Sequence, residues 1–179
     1  MLSMALTMPL TGFIADRLGD KYAYILGMGS FVTGSLLGAV ADQFHLLVLF
    51  RLFQGFGAGL VMPVGISILY ACYPKNRRGF ITGLLGISNM VAPAISPTLS
   101  GIIIEYTSWH VLFVMNIPIG LFSILIGLLF VRHAKMEKRI AFDLAGYVLV
   151  TVSITCLILG FNSFSWVFFA SWASCLMVA

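Results

Sequence analysis

The 179-residue chain is 60% hydrophobic and 9% charged, with a mean hydropathy of +1.06 and a net charge of +4. A soluble domain carries about a quarter charged residues, so this composition excludes one. The basic balance does not call for nucleic acid either, because nine of the ten Lys and Arg residues fall in alternate gaps between apolar runs, beside the anionic headgroups of a bilayer.

A spanning helix needs about 20 apolar residues to cross about 30 Å of hydrocarbon. The first run, Met1–Ala15, is shorter and covers only about 22 Å. The gap Asp16–Lys21 ends it, with Arg17 and Lys21 as its cations and Gly19 free to take the positive φ of a tight turn. Asp16, Arg17 and Lys21 offer charge pairs at that face, and Gly12 offers a place for a neighbouring helix to close in. The run Tyr22–Ala41 is long enough to span, and its Ser30, Gly34 and Gly38 share one face suited to close helix contact.

After the cation-free gap Asp42–His45 comes the run Leu46–Tyr73, in which Gly55 and Gly59 repeat the small-residue spacing. This run contains the tenth cation, Arg51. An intramembrane Arg costs at least about 2.5 kcal/mol unless it is paired, hydrated or able to snorkel to the surface. Arg51 and Gln54 are three residues apart, share a face and can line one polar cavity.

The gap Pro74–Gly79 holds Lys75, Arg77 and Arg78, and the run Phe80–Ile104 follows. Pro93 and Pro97 remove helical hydrogen bonds from that run and predict a bend, beside a stripe of Ala92, Ser96 and Ser100. The gap Glu105–His110 lacks Lys and Arg, Val111–Val131 spans, and Arg132–Asp143 supplies Arg132, Lys135, Lys138 and Arg139. Asp143 is placed to cap the run Leu144–Phe161, and Ser165 to cap the last run, Ser165–Ala179, after the gap Asn162–Ser165.

The alternation of Lys and Arg predicts a multi-pass membrane protein with the loops 16–21, 74–79 and 132–143 in the cytoplasm. The two short terminal runs predict a piece of a longer protein, with five whole helices and two partial ones. Cys72, Cys156 and Cys175 sit in apolar runs without metal-ligand spacing and read as small buried hydrophobes. No basic segment precedes the first run, so no cleavable signal peptide is expected. All six acids lie at run edges, so the sequence offers no carboxylate at membrane depth for proton exchange. No catalytic residue, metal set or cofactor site is expected, and an intramembrane enzyme is the least favoured class, since no His or acid sits at membrane depth to activate a nucleophile.

The segment Gly12-Phe13-Ile14-Ala15-Asp16-Arg17-Leu18-Gly19-Asp20-Lys21 resembles the loop signature G-x-L-A-D-R-x-G-R-K of the major facilitator superfamily, with Asp20 in place of Arg. Leu47-x-x-x-Arg51-x-x-Gln54-Gly55-x-Gly57-Ala58-Gly59 resembles that family's fourth-helix signature, L-x-x-x-R-x-x-Q-G-x-G-A-A. Ala92 to Gly101 is similar to the antiporter signature G-x-x-x-G-P-x-x-G-G. Pro97 and Gly101 match it, whereas Ala92, Ser96 and Ser100 replace glycines. Trp109 to Gly120 looks like W-R-W-x-F-x-x-N-x-P-I-G of the fourteen-helix branch of drug:proton antiporters, and the short loop before Phe142-Asp143-Leu144-Ala145-Gly146 favours the same branch.

The resemblance implies an all-α, partial major-facilitator bundle. Residues 1–131 would be helices two to six, 132–143 a cytoplasmic loop, and 144–179 helix seven with the start of helix eight. It implies proton-coupled export of small amphipathic or cationic compounds across the cell membrane, without nucleic acid or cofactor. A first helix and a C-terminal half would complete the transporter. Arg51 and Gln54 would serve coupling and the cavity, Gly12, Asp16, Arg17, Gly19 and Lys21 a gating loop, and Ala92, Pro93, Ser96, Pro97, Ser100 and Gly101 the bend. A different class, a non-transporting remnant, sensor or assembly partner, is the alternative.

Overall fold

The computed structural model describes residues 2–41, 43–108, 110–131 and 143–177, with side chains up to 161. Residues 132–142 of the expected cytoplasmic loop, Trp109, and the side chains of Ser165 and Cys175 lie outside them. The described chain is helical: α1 (Leu2–Leu18), α2 (Asp20–Ala39), α3 (Phe44–Cys72), a 3₁₀ turn (Lys75–Arg77), α4 (Arg78–Tyr106), α5 (His110–Phe130) and α6 (Leu144–Met177). Asp20–Ala39, Phe44–Cys72, Lys75–Tyr106, His110–Phe130 and Leu144–Phe161 are each long and apolar enough to cross a membrane. These are the five full-length runs of the sequence, and the protein is a multi-pass, all-α membrane bundle. In a bilayer the backbone must satisfy its own hydrogen bonds, which is why each apolar run becomes a helix.

One boundary differs from the sequence reading. The backbone of α6 is helical for 34 residues through Asn162–Ser165, with no turn and no second helix starting at Ser165. Asn162-Ser163-Phe164-Ser165 contains neither Gly nor Pro, and Asn and Ser weaken a helix by only about half a kcal/mol each, so polarity alone does not break it. The expected start of α6 is present: Asp143 Oδ1 accepts the Gly146 N–H at 3.0 Å and caps the helix.

Helix α2 is the hub, packed against α3 and α5, while α1 lies on α3. Small residues set the closest approach. A Cβ at Gly34 would lie 2.7 Å from the Gln54 backbone N, and one at Gly57 would meet the backbone of Gly27 and Phe31. The face turned to α3 is thus Gly27 and Gly34 with Gly57 opposite. Ser30 turns instead towards a cleft between α1 and α3. Gly55 and Gly59 do admit a close helix as expected, and that helix is α1, at Ser3, Met4 and Thr7. Gly12 has no described atom within 4 Å of where a Cβ would stand, so no described helix closes on it.

The buried apolar residues Ala23, Met28, Val32, Leu60, Val64 and Phe113 form a narrow core at the α2–α3–α5 junction. Phe80, Met90, Phe130 and Leu149 are all exposed. Cys72 and Cys156 are free and exposed, not buried, because they lie on the outward faces of their helices.

Side-chain ties bring the first cation-rich gap beside the end of α5 and the last part of α3. Lys21 Nζ donates to the Leu128 carbonyl at 2.7 Å, joining the start of α2 to the end of α5. Ser67 Oγ donates to Asp20 Oδ2 at 2.9 Å, joining α2 to the last part of α3. Helix α6 seats on α1 through Tyr147 Oη, which donates to the Leu6 carbonyl at 3.3 Å. That contact offsets the start of α6 about 18 Å along α1 from Leu18.

Candidate functional site

Arg51 lies seven residues past Phe44, about 11 Å into α3. Its guanidinium is drawn sideways into a network. Nη1 donates to Gln54 Oε1 at 3.0 Å, and Cζ stands 4.4 Å over the Phe113 ring of α5. Gln54 Nε2 in turn donates to Ser35 Oγ of α2 at 2.9 Å, and Ser35 Oγ donates to the Phe31 carbonyl at 2.9 Å. Helical periodicity places Arg51 and Gln54 on one face, and the closeness of α2 to α3 at Gly34 lets Gln54 reach Ser35.

Gln54 is 6% exposed and Ser35 fully buried, so the chain of donors and acceptors satisfies polar groups that would otherwise be costly in the interior. It also orients the Gln54 amide, since only the oxygen can accept from arginine. Arg51 itself remains exposed on its other side. The arrangement is a positive charge near the start of α3, linked to α5 through Phe113 and to α2 through Gln54, and open on one flank. Such a charge can attract an anionic or ionisable group entering from that side.

The sequence pointed to Arg51 and Gln54 but gave no role to Ser35 or Phe113. Ser35 shows only as a hydroxyl inside an apolar run, next to Gly34. Phe113 stands within the motif at the start of α5, but its partner lies on a different helix.

The gating-loop residues are arranged differently from expectation. Gly19 has φ 82° and ψ 151°, a conformation essentially restricted to glycine, so the tight turn is real. The expected charge pairs do not form among the described residues. Arg17 instead lies 4.4 Å over the Phe13 ring, and Lys21 holds the Leu128 carbonyl. Asp16 is exposed and makes no hydrogen bond or ion pair there. The acid that engages the bundle is Asp20, the residue that departs from the family signature.

Helix α4 is unbroken from Arg78 to Tyr106 through both prolines. Ala92, Pro93, Ser96, Pro97 and Gly101 are exposed and Ser100 partly so. Ser100 Oγ donates to the carbonyls of Ser96, at 2.7 Å, and Pro97, at 3.1 Å. Pro93 and Pro97 leave the carbonyls of Asn89 and Pro93 without their usual helical donors. These residues form no cluster with Arg51. At the same end of α5 as Phe113, Ser108 Oγ and His110 Nδ1 are 3.1 Å apart.

A cleft of about 660 Å³ opens between α1 and α3, lined by Leu6, Leu49, Leu52, Phe53 and Phe56 with Ser3, Thr7 and Tyr147 as polar points. Arg51 does not line it. Apolar walls with a few hydroxyls suit an amphipathic occupant.

A multi-pass helical membrane protein with a tethered intramembrane arginine is the class these features define. The sequence pattern of the Major Facilitator Superfamily matches residues 1–179, and the chain belongs to that family. It is similar to multidrug resistance protein 3 of Bacillus subtilis strain 168, at 29% identity over 93% of this chain and 33% of that protein. It is also similar to the uncharacterized MFS-type transporter YfiU of the same strain, at 32% identity over 90% of this chain and 32% of the relative. A putative multidrug resistance protein MdtD of Yersinia pestis strain Pestoides F is 29% identical over 90% of this chain and 34% of its own length. The chain thus spans about a third of the relatives it matches.

Proposed function

We propose that the chain is part of a secondary transporter of the fourteen-helix drug:proton antiporter branch, exporting small amphipathic or cationic compounds across the cell membrane. It is a carrier and not an enzyme. The observation that carries the reading is Arg51, a cation within a spanning helix that is tethered to Gln54 instead of extended to the headgroups. The names of two relatives, which concern multidrug resistance, support export as the activity. Nothing favours a sensor or assembly role over transport.

In this reading the loops 16–21, 74–79 and 132–143 face the cytoplasm, and Arg51 lies in the outer half. Protons are exchanged at a carboxylate on another segment, because every acid in this chain is at a membrane edge. A preceding helix and a C-terminal half complete the carrier, and substrate binds between the two halves as they rock. Asp16, free of partners among the described residues, is available to contact that second half. Pro93 to Gly101 supply the bend on α4, whose exposed surface is the place for further helices.

The test is dye accumulation in everted vesicles bearing the complete transporter. Accumulation of a cationic dye should follow an imposed proton gradient and collapse with a protonophore. Accumulation that persists without any proton gradient would rule out proton coupling.

A further inference from the structure

We infer that Phe113, seated on Gly38, is a positioning residue that fixes the plane and direction of the Arg51 guanidinium; the inference rests on the reading of Arg51 as a coupling residue. A hydrogen bond to Gln54 Oε1 holds one guanidinium nitrogen but leaves the group free to swing about that bond. Arg51 is close enough to the membrane surface that its long side chain would otherwise turn outward to water and headgroups. The Phe113 ring removes that freedom. It presents its face at 4.4 Å to Cζ, the geometry in which an aromatic quadrupole attracts a cation.

The ring is itself immobilised. Phe113 is 3% exposed, and a Cβ added to Gly38 would lie 2.5 Å from its Cε1 and 2.6 Å from its Cδ1. The ring therefore lies directly on the α2 backbone, where only glycine leaves room for it. Gly38 on α2, Arg51 on α3 and Phe113 on α5 form one stack, so a shift of α5 against α2 moves the charge directly. Burial of the ring keeps water from competing for the face that the guanidinium occupies, which strengthens the contact relative to one on an open surface. The small-residue stripe of α2 thus serves the charged site as well as helix packing.

The experiment compares maximal dye efflux by the complete transporter, at matched membrane abundance, for wild type, Phe113→Leu, Phe113→Tyr, Phe113→Trp and Gly38→Ala. Loss of the π-face in Phe113→Leu should slow efflux roughly five- to thirtyfold. Phe113→Tyr should recover most of it, Phe113→Trp less because the larger indole has no room against Gly38, and Gly38→Ala, which keeps the ring but displaces it, should resemble Phe113→Leu. Wild-type efflux in Phe113→Leu, or loss of efflux in all three Phe113 variants alike, would overturn the inference, since volume alone or general packing would then explain the site. If the wild type exports nothing under a proton gradient, the functional reading falls, and the tether is judged by thermal unfolding of the purified variants. Melting-temperature losses for Arg51→Ala and Phe113→Leu that are less than additive in the double variant uphold it. Additive losses overturn it.

Discussion

Replacing Gly34 with Ala should separate α2 from α3 and untie the charged network from below. The new Cβ would stand 2.7 Å from the Gln54 backbone N and 3.0 Å from the Phe50 carbonyl oxygen, both atoms of a rigid helix. Restoring an ordinary contact of about 3.4 Å requires the helices to part locally by about 0.7 Å. Overpacking of that kind costs about 1–3 kcal/mol, offset by at most about 1 kcal/mol of helix propensity gained over glycine. The Gln54 Nε2 to Ser35 Oγ bond, now 2.9 Å, would be stretched beyond good geometry and leave two buried polar groups poorly satisfied.

Gly29 on the same helix is the matched control, because nothing described lies within 4 Å of its Cβ position. Gly29→Ala should be neutral or stabilising by up to about 1 kcal/mol. The assay is reversible unfolding of both purified variants in mixed micelles, with efflux measured in parallel. If Gly34→Ala and Gly29→Ala unfold at the same denaturant fraction, the close α2–α3 contact is not what orders this bundle.

Three further outcomes are expected. Single cysteines at Gln43 and Ser108, in a background lacking the native cysteines, should be labelled from outside sealed cells while one at Asn76 is spared; labelling at Asn76 would reverse the orientation. Gly19→Ala should cost about 1–3 kcal/mol from backbone strain at φ 82° and ψ 151°, read as lower folded yield, whereas an unchanged yield would mean the turn adopts another conformation. Asp143→Ala should cost about 1 kcal/mol and raise amide exchange at Gly146, the residue whose N–H it now holds, and unaltered exchange there would remove the cap.

The spans were legible because hydropathy and the alternation of Lys and Arg are imposed by the bilayer, not by tertiary detail. Gly19 and Asp143 were legible for a local reason, since a positive φ and a helix cap depend on neighbouring residues alone. Arg51 and Gln54 could be paired from helical spacing. Ser35 and Phe113 could not, because their roles follow from which helices lie beside α3. The same lack of neighbour information explains the misassigned faces. Small-residue spacing marks a stripe on α2 but does not say that Gly27, and not Ser30, meets α3, or that Gly12 faces no described helix. The expected ion pairs of the 16–21 loop gave way to a ring and a carbonyl because those lay within reach of Arg17 and Lys21. At Asn162–Ser165 polarity was read as a turn, although no residue there obliges one.

The most direct measurement of the central claim is gradient-driven efflux of a cationic dye by the complete transporter carrying Arg51, Arg51→Ala or Arg51→Lys at equal membrane abundance. The account predicts no efflux above background for Arg51→Ala. Arg51→Lys should give only partial efflux, because an ammonium cannot both bond Gln54 and lie flat on Phe113 as a planar guanidinium does. Full efflux by the alanine variant would contradict it and reduce Arg51 to a packing residue near the membrane surface.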